Sequence, residues 1–148
     1  MTRRAVLSVL VLVSLTLVAA PTSGSQPGAD RGTLVVKSSR FGRILFDGRG
    51  YVLYGFTADG RNRSNCRGEC AAAWPPLIVA SRPKAGPGAA ARLLGTTRRR
   101  GGRLQATYAG KPLYYYVGDR RPGQILCQDV REFGGLWLVI RPSGAFVR

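Results

Sequence analysis

The chain opens on an apolar run at 5–20, softened only by Ser8, Ser14 and Thr16, and then changes to short apolar spans separated by turn residues. Aromatic and β-branched side chains crowd these spans, and Gly, Pro and Asp stand between them, a pattern that predicts strands and tight turns rather than long helices. Strands are predicted at 33–37, 44–46, 51–56, 93–98, 104–108, 112–117, 136–140 and 145–147. Pro112 lacks a ladder donor, which places it at a strand start or on an edge. One short helix is predicted at 69–74, because Ala71, Ala72 and Ala73 favour helix and Pro75-Pro76 stops it. The stretch 81–91 is rich in Pro, Gly and Ala and reads as a linker.

The pattern repeats. Residues 42–59 (GRILFDGRGYVLYGFTAD) align without gaps on 102–119 (GRLQATYAGKPLYYYVGD) at an offset of 60, with six of 18 positions identical. The identities include Gly50/Gly110, Leu53/Leu113, Tyr54/Tyr114 and Asp59/Asp119, and Phe56/Tyr116 is a conservative pair. Trp74 and Trp137 recur further on, slipped by three residues. Each copy reads as a hairpin whose turn uses Gly for positive φ. The expected fold is therefore mainly β: two pseudo-repeated antiparallel β-hairpin units with one short helix in a compact single domain. The expected division is a signal peptide at 1–25, an N-terminal segment at 26–40, repeat 1 at 41–80, a linker at 81–92 and repeat 2 at 93–148.

The apolar run changes the picture of compartment. Arg3 and Arg4 precede it, small polar residues follow Pro21, and it falls short of the roughly 20 residues of a membrane span. It reads as a cleaved secretory signal. No Cys precedes Cys66, so no thioether-linked lipid anchor is expected, and no later run is long enough to span a bilayer. The remainder, about 120 residues, suffices for one core. The expectation is a secreted protein of the extracellular space or cell envelope.

Charge and chemistry follow from that. The chain has 23 Lys+Arg against 7 Asp+Glu and no His. Without Arg3 and Arg4 its net charge falls from +16 to +14. In an exported protein such an excess reads either as a solvated basic surface or as a site for an anionic cell-wall polymer or polysaccharide, and nucleic acid is not the expected partner. Arg98, Arg99 and Arg100, with Arg103 close by, are the densest cluster. Absence of His excludes a His-based serine triad and disfavours zinc and copper sites, and no cofactor is expected. Tyr54 with Phe56, and Tyr114 with Tyr116, share strand faces. Asp59 and Asp119 follow each pair, where a carboxylate pins a turn through backbone N–H groups. Two readings of these six residues stand side by side: core aromatics with loop-pinning aspartates, or a shared groove binding a sugar or cation. Asp59 and Asp119 as an acid–base pair of a hydrolase is the sharpest catalytic alternative. Cys66 and Cys70 are too far apart on a regular helix for a bridge, but Gly68 can break the helix and permit a local Cys66–Cys70 disulfide. Pairing of either with Cys127, or a thiol redox or metal-handling role, is the alternative.

These residues carry a family resemblance. Tyr54-Gly55-Phe56-Thr57-Ala58-Asp59 and Tyr114-Tyr115-Tyr116-Val117-Gly118-Asp119 resemble the Y-x-[FWY]-x-x-D motif of a bacterial secreted-repeat, lipoprotein-like family of unknown function. Ser64-Asn65-Cys66 through Cys70-Ala71 to Trp74-Pro75-Pro76, and Gly110-Lys111-Pro112-Leu113-Tyr114, are similar to further elements of it. The resemblance implies export and a repeated structure and supplies no reaction. The chain departs from many members in lacking a lipidated cysteine, and from their small or polar residue in having Cys127.

Overall fold

The computed structural model describes residues 31–148. The apolar run read as a signal peptide lies outside the described residues. Strands β1 (Thr33–Ser39) and β2 (Gly42–Asp47) form an antiparallel hairpin with Arg40 and Phe41 at its tip. In β2 the consecutive residues Ile44 to Asp47 are all buried because both faces of the strand are covered. Ile44 and Phe46 enter one apolar cluster and Leu45 enters another. The chain reverses through Gly50, which has φ 91°, and returns as β3 (Tyr54–Phe56). Helix α1 (Glu69–Ala73) and β4 (Ile78–Val79) follow. A short β5 (Lys84–Ala85) lies parallel to β1. After a 3-10 turn at Ala91–Leu93 come β6 (Leu94–Arg98), β7 (Leu104–Tyr108), β8 (Lys111–Pro112), β9 (Val130–Glu132) and β10 (Gly135–Val139). The strands order as β2-β1-β5, β3-β10-β9 and β4-β7-β6, with β8 on β7. The protein is thus mainly β, with one short helix in a single compact domain.

Several predicted elements differ in extent. Of 51–56 only Tyr54–Phe56 is strand, with Val52 bridged singly to Phe46. Of 112–117 only Pro112 lies in a strand, because the chain changes partner there. It leaves β7 and runs beside residues 73–76, where Tyr115 N–H donates to Pro75 O and Val117 N–H to Ala73 O. Residues 145–147 hold one bridge, Phe146 to Ile140. The stretch read as a linker contains β5. β9 is exposed and charged, which hid it from an apolar-pattern search.

The duplication is written in the hydrogen bonds. Tyr54 and Tyr114 exchange backbone bonds with each other, both 2.9 Å, so the two copies meet antiparallel at the same residue. Around that point the bonds occur in pairs. Leu53 N–H donates to Leu45 O as Leu113 does to Ala106 O; Leu45 N–H donates to Ile140 O as Ala106 does to Leu77 O. Thr57 bonds Leu136 as Val117 bonds Ala73. These pairs correct the gapless alignment. The offset is 61 before each turn and 60 after it, because the first turn holds one residue more, and it is 63 at the tryptophans, because the second copy holds three residues more between its aspartate and its tryptophan. Gly42/Gly102 and Arg43/Arg103 are accordingly not structural equivalents.

The pairs also show that the repeats exchange their ends. β3 of the first copy pairs β10 of the second, while β7 of the second pairs β4 of the first. Trp74 and Trp137 stack at the centre with ring centroids 4.0 Å apart and planes 3° from parallel. Tyr54 meets Trp74 edge-on at 5.2 Å, and Tyr114 meets Trp137 likewise at 5.1 Å. Phe56 stacks on Trp137 and Tyr116 tilts against Trp74, each across the repeat boundary. Such aromatic pairs contribute about 0.5–1.5 kcal/mol each beyond area burial. The symmetry fails at one atom: Trp74 Nε1 donates to Glu132 (3.0 Å), whereas Trp137 Nε1 is buried without a partner among the described residues.

Candidate functional site

Each recurrent aspartate closes the turn after its aromatic pair in the same way. Asp59 N–H donates to Phe56 O and Asp119 N–H to Tyr116 O, both 3.1 Å. Asp59 Oδ1 then accepts from Asn65 N–H (2.7 Å) and Asp119 Oδ1 from Leu126 N–H (3.0 Å), holding the loops that follow. The second carboxylate oxygen crosses to the other repeat. Tyr54 Oη donates to Asp119 Oδ2 (2.8 Å), and Tyr114 Oη donates to Asp59 Oδ2 (2.7 Å). Burial raises both carboxyl pKa values above the ordinary aspartate range, against the lowering pull of these hydrogen bonds. Burial likewise raises both phenols, and the facing carboxylates add to it.

The six recurrent residues do not form a shared groove wall. Tyr54 and Tyr114 are fully buried, Phe56 and Asp119 are buried, and Tyr116 and Asp59 are half-buried. Asp59 borders a cavity with Gly60 and Lys111, while Asp119 borders a different one with Tyr51 and Tyr115.

The arginines are brought together. The tip between β6 and β7 closes with Arg99 N–H on Arg103 O and carries Arg98, Arg100 and Arg103 outward. Arg99 turns inward. Its Nη1 donates to Ser64 Oγ and to Gln105 Oε1, both 2.7 Å, and its Nη2 to Cys66 O (2.8 Å). Ser64 Oγ lies 2.7 Å from Tyr114 Oη, so one polar chain joins Arg99 to Asp59. This fastens the second repeat's tip to the first repeat's loop, which adds Arg63 and Arg67. The result is a groove of about 670 Å³ lined by six arginines, Ser64 and Gly68, with no carboxylate among its described lining residues. Among the described residues the one ion pair joins Arg49 to Asp47 (2.8 Å), so none of the six is ion-paired. Arg63 and Arg67 escaped sequence reasoning, although the Arg61, Arg63, Arg67 spacing was visible. What was missing was the knowledge that their loop packs against a tip 35 residues on.

Cys66 and Cys70 are bridged, as predicted, with Cα atoms 5.3 Å apart. Gly68 caps α1 at φ 55°, so the helix starts only at Glu69 and Cys66 lies off it. Both sulfurs sit in buried residues, and Cys127 is a half-buried free thiol. Cys127 is the positional counterpart of Cys66, following the loop pinned by Asp119. Among the described residues no group of three or more His, Cys, Asp or Glu is placed to hold a metal ion.

Fold and site together define a class: an internally duplicated β protein whose halves exchange strands and whose shared tyrosines and aspartates hold it together. The chain belongs to a family described as a secreted repeat of unknown function, whose model matches residues 35–78 and 95–141. Those two matches cover the two copies seen in the hydrogen bonds. No curated protein and no solved structure matches the chain. No helix among the described residues is long and apolar enough to cross a membrane.

Proposed function

We propose that this is an exported, non-catalytic protein of the cell envelope or extracellular space, released from a cleaved signal peptide without a lipid anchor, that binds an anionic cell-wall polymer or polysaccharide. The observation that carries the reading is the groove of six arginines free of ion pairs. Guanidinium groups match carboxylate and phosphate oxygens in fork geometry, and no carboxylate among the described lining residues occupies them. The hydrolase alternative has less support. Asp59 and Asp119 border separate cavities, and each already accepts a tyrosine hydroxyl and a backbone N–H. The redox alternative has less too, since Cys66 and Cys70 are bridged and buried.

The test is retention on isolated cell walls across a salt series. Retention should fall steeply with ionic strength, because exposed charges are screened within about 8 Å at physiological salt. Arg98→Ser/Arg100→Ser/Arg103→Ser should weaken it at least ten-fold at low salt with no loss of fold. Retention indifferent to both salt and the triple substitution would remove the electrostatic basis of this reading.

A further inference from the structure

Each repeat has a tip and a pinned loop, so the arginine groove has a counterpart. The bond pairs place the β1–β2 tip in correspondence with the β6–β7 tip: Ser38 opposes Arg43 as Arg98 opposes Leu104. The same register sets Arg40 at the place of Arg100. The loop pinned by Asp119 corresponds to the loop pinned by Asp59, with Ile125 at the place of Ser64. Both tips are fastened to the other copy's loop by an arginine, though from neighbouring positions. Arg99 reaches across to Ser64 and Cys66, and Arg40 Nη2 donates to Ile125 O (2.6 Å). Between the β1–β2 tip and the second loop lies a groove of about 630 Å³, close in size to the first. Among the described residues its charged lining is Lys37, Arg40 and Arg121, again without a carboxylate. Ser38, Ser39 and Gln124 add neutral hydrogen-bonding groups.

We infer that this second groove is also an anion site and that one chain engages two anionic segments at once. The inference rests on the binding reading above and extends it from one site to two. Strand exchange makes it follow from the architecture, since each groove is built from the tip of one copy and the loop of the other. The second groove, with three cations against six, is the weaker site. A chain of this kind cross-links a polyanionic layer instead of only adhering to it.

Calorimetric titration of the full chain with tripolyphosphate, a probe short enough to occupy one groove, decides the matter. Wild type should take up two equivalents at low salt. Lys37→Ser/Arg121→Ser should leave one equivalent of unchanged affinity, and Arg98→Ser/Arg100→Ser/Arg103→Ser should leave one equivalent of the weaker kind. Lys37 and Arg121 are exposed and their side chains donate no hydrogen bond to the described residues, and a melting curve for each variant confirms an intact fold. A single wild-type equivalent, lost in the arginine variant and untouched by Lys37→Ser/Arg121→Ser, overturns the second site and leaves the first standing. No uptake by wild type overturns both.

Discussion

Tyr54 and Tyr114 pair with each other through their backbones, while each side chain is held by the other repeat's aspartate. A coupling test therefore distinguishes exchange from local pinning. A double-mutant cycle of Tyr54→Phe with Asp119→Asn should give an interaction energy of about 1 kcal/mol by denaturant unfolding, and a cycle with Asp59→Asn close to none. Coupling to Asp59 instead would contradict the exchanged arrangement. The pH response follows from the raised carboxyl of Asp119. An acid whose folded-state pKa lies above its unfolded value destabilises the fold while charged. That penalty is present above the folded pKa and disappears as the pH falls below the unfolded one. The deficit in melting temperature of Asp119→Asn relative to wild type should hence widen from neutral toward mildly acidic pH. A deficit that narrows would mean that the charge itself stabilises. The pinning of the local loops by Asp59 and Asp119 was readable from their place after a strand. Their reach to the opposite tyrosine was not, because a sequence offset says nothing about which copy an oxygen faces.

At the level of elements, the two copies solve one problem by different means. Where the first carries the Cys66–Cys70 bridge and α1, the second has the β9–β10 hairpin, turning at Phe133 (φ 52°) and Gly134. Both deliver a tryptophan to the central stack. The bridge closes a short loop, so Cys66→Ser/Cys70→Ser should lower unfolding free energy by roughly 2 kcal/mol in the chain-entropy model. Alkylation of the unreduced wild type should modify Cys127 alone, and modification of all three cysteines would refute the bridge. The short helix was legible from Ala71 to Ala73 and the stop at Pro75. β9 was not, since Val130-Arg131-Glu132 offers no apolar alternation. β5 was hidden too, because two exposed residues in a Pro- and Gly-rich stretch become a strand only when β1 lies alongside.

For the molecule as a whole, exchange makes the halves mutually dependent. β3 has no sheet without β10, and β7 loses β4 if the first half is removed. Fragments 31–92 and 93–148 should each lack cooperative unfolding alone and regain it when mixed, as followed by circular dichroism in denaturant. Independent cooperative transitions in both would show that each repeat is a self-sufficient unit. The same dependence explains why both basic grooves straddle the repeat boundary.

Taken alone, the order of residues determined the β character, the duplication, the short helix and the excess of positive charge, and it favoured the local disulfide without excluding a bridge to Cys127. Each of these is a matter of neighbours along the chain, where periodicity, turn chemistry and composition act. Only the tertiary structure decided that the copies trade strands, that Tyr54 and Tyr114 are buried in the core, and that Arg63 and Arg67 join Arg98–Arg100 around one groove. Those outcomes depend on which distant segments a hydrogen bond or a ring stack brings together, and the offset of 60 residues is compatible with either a local or an exchanged pairing.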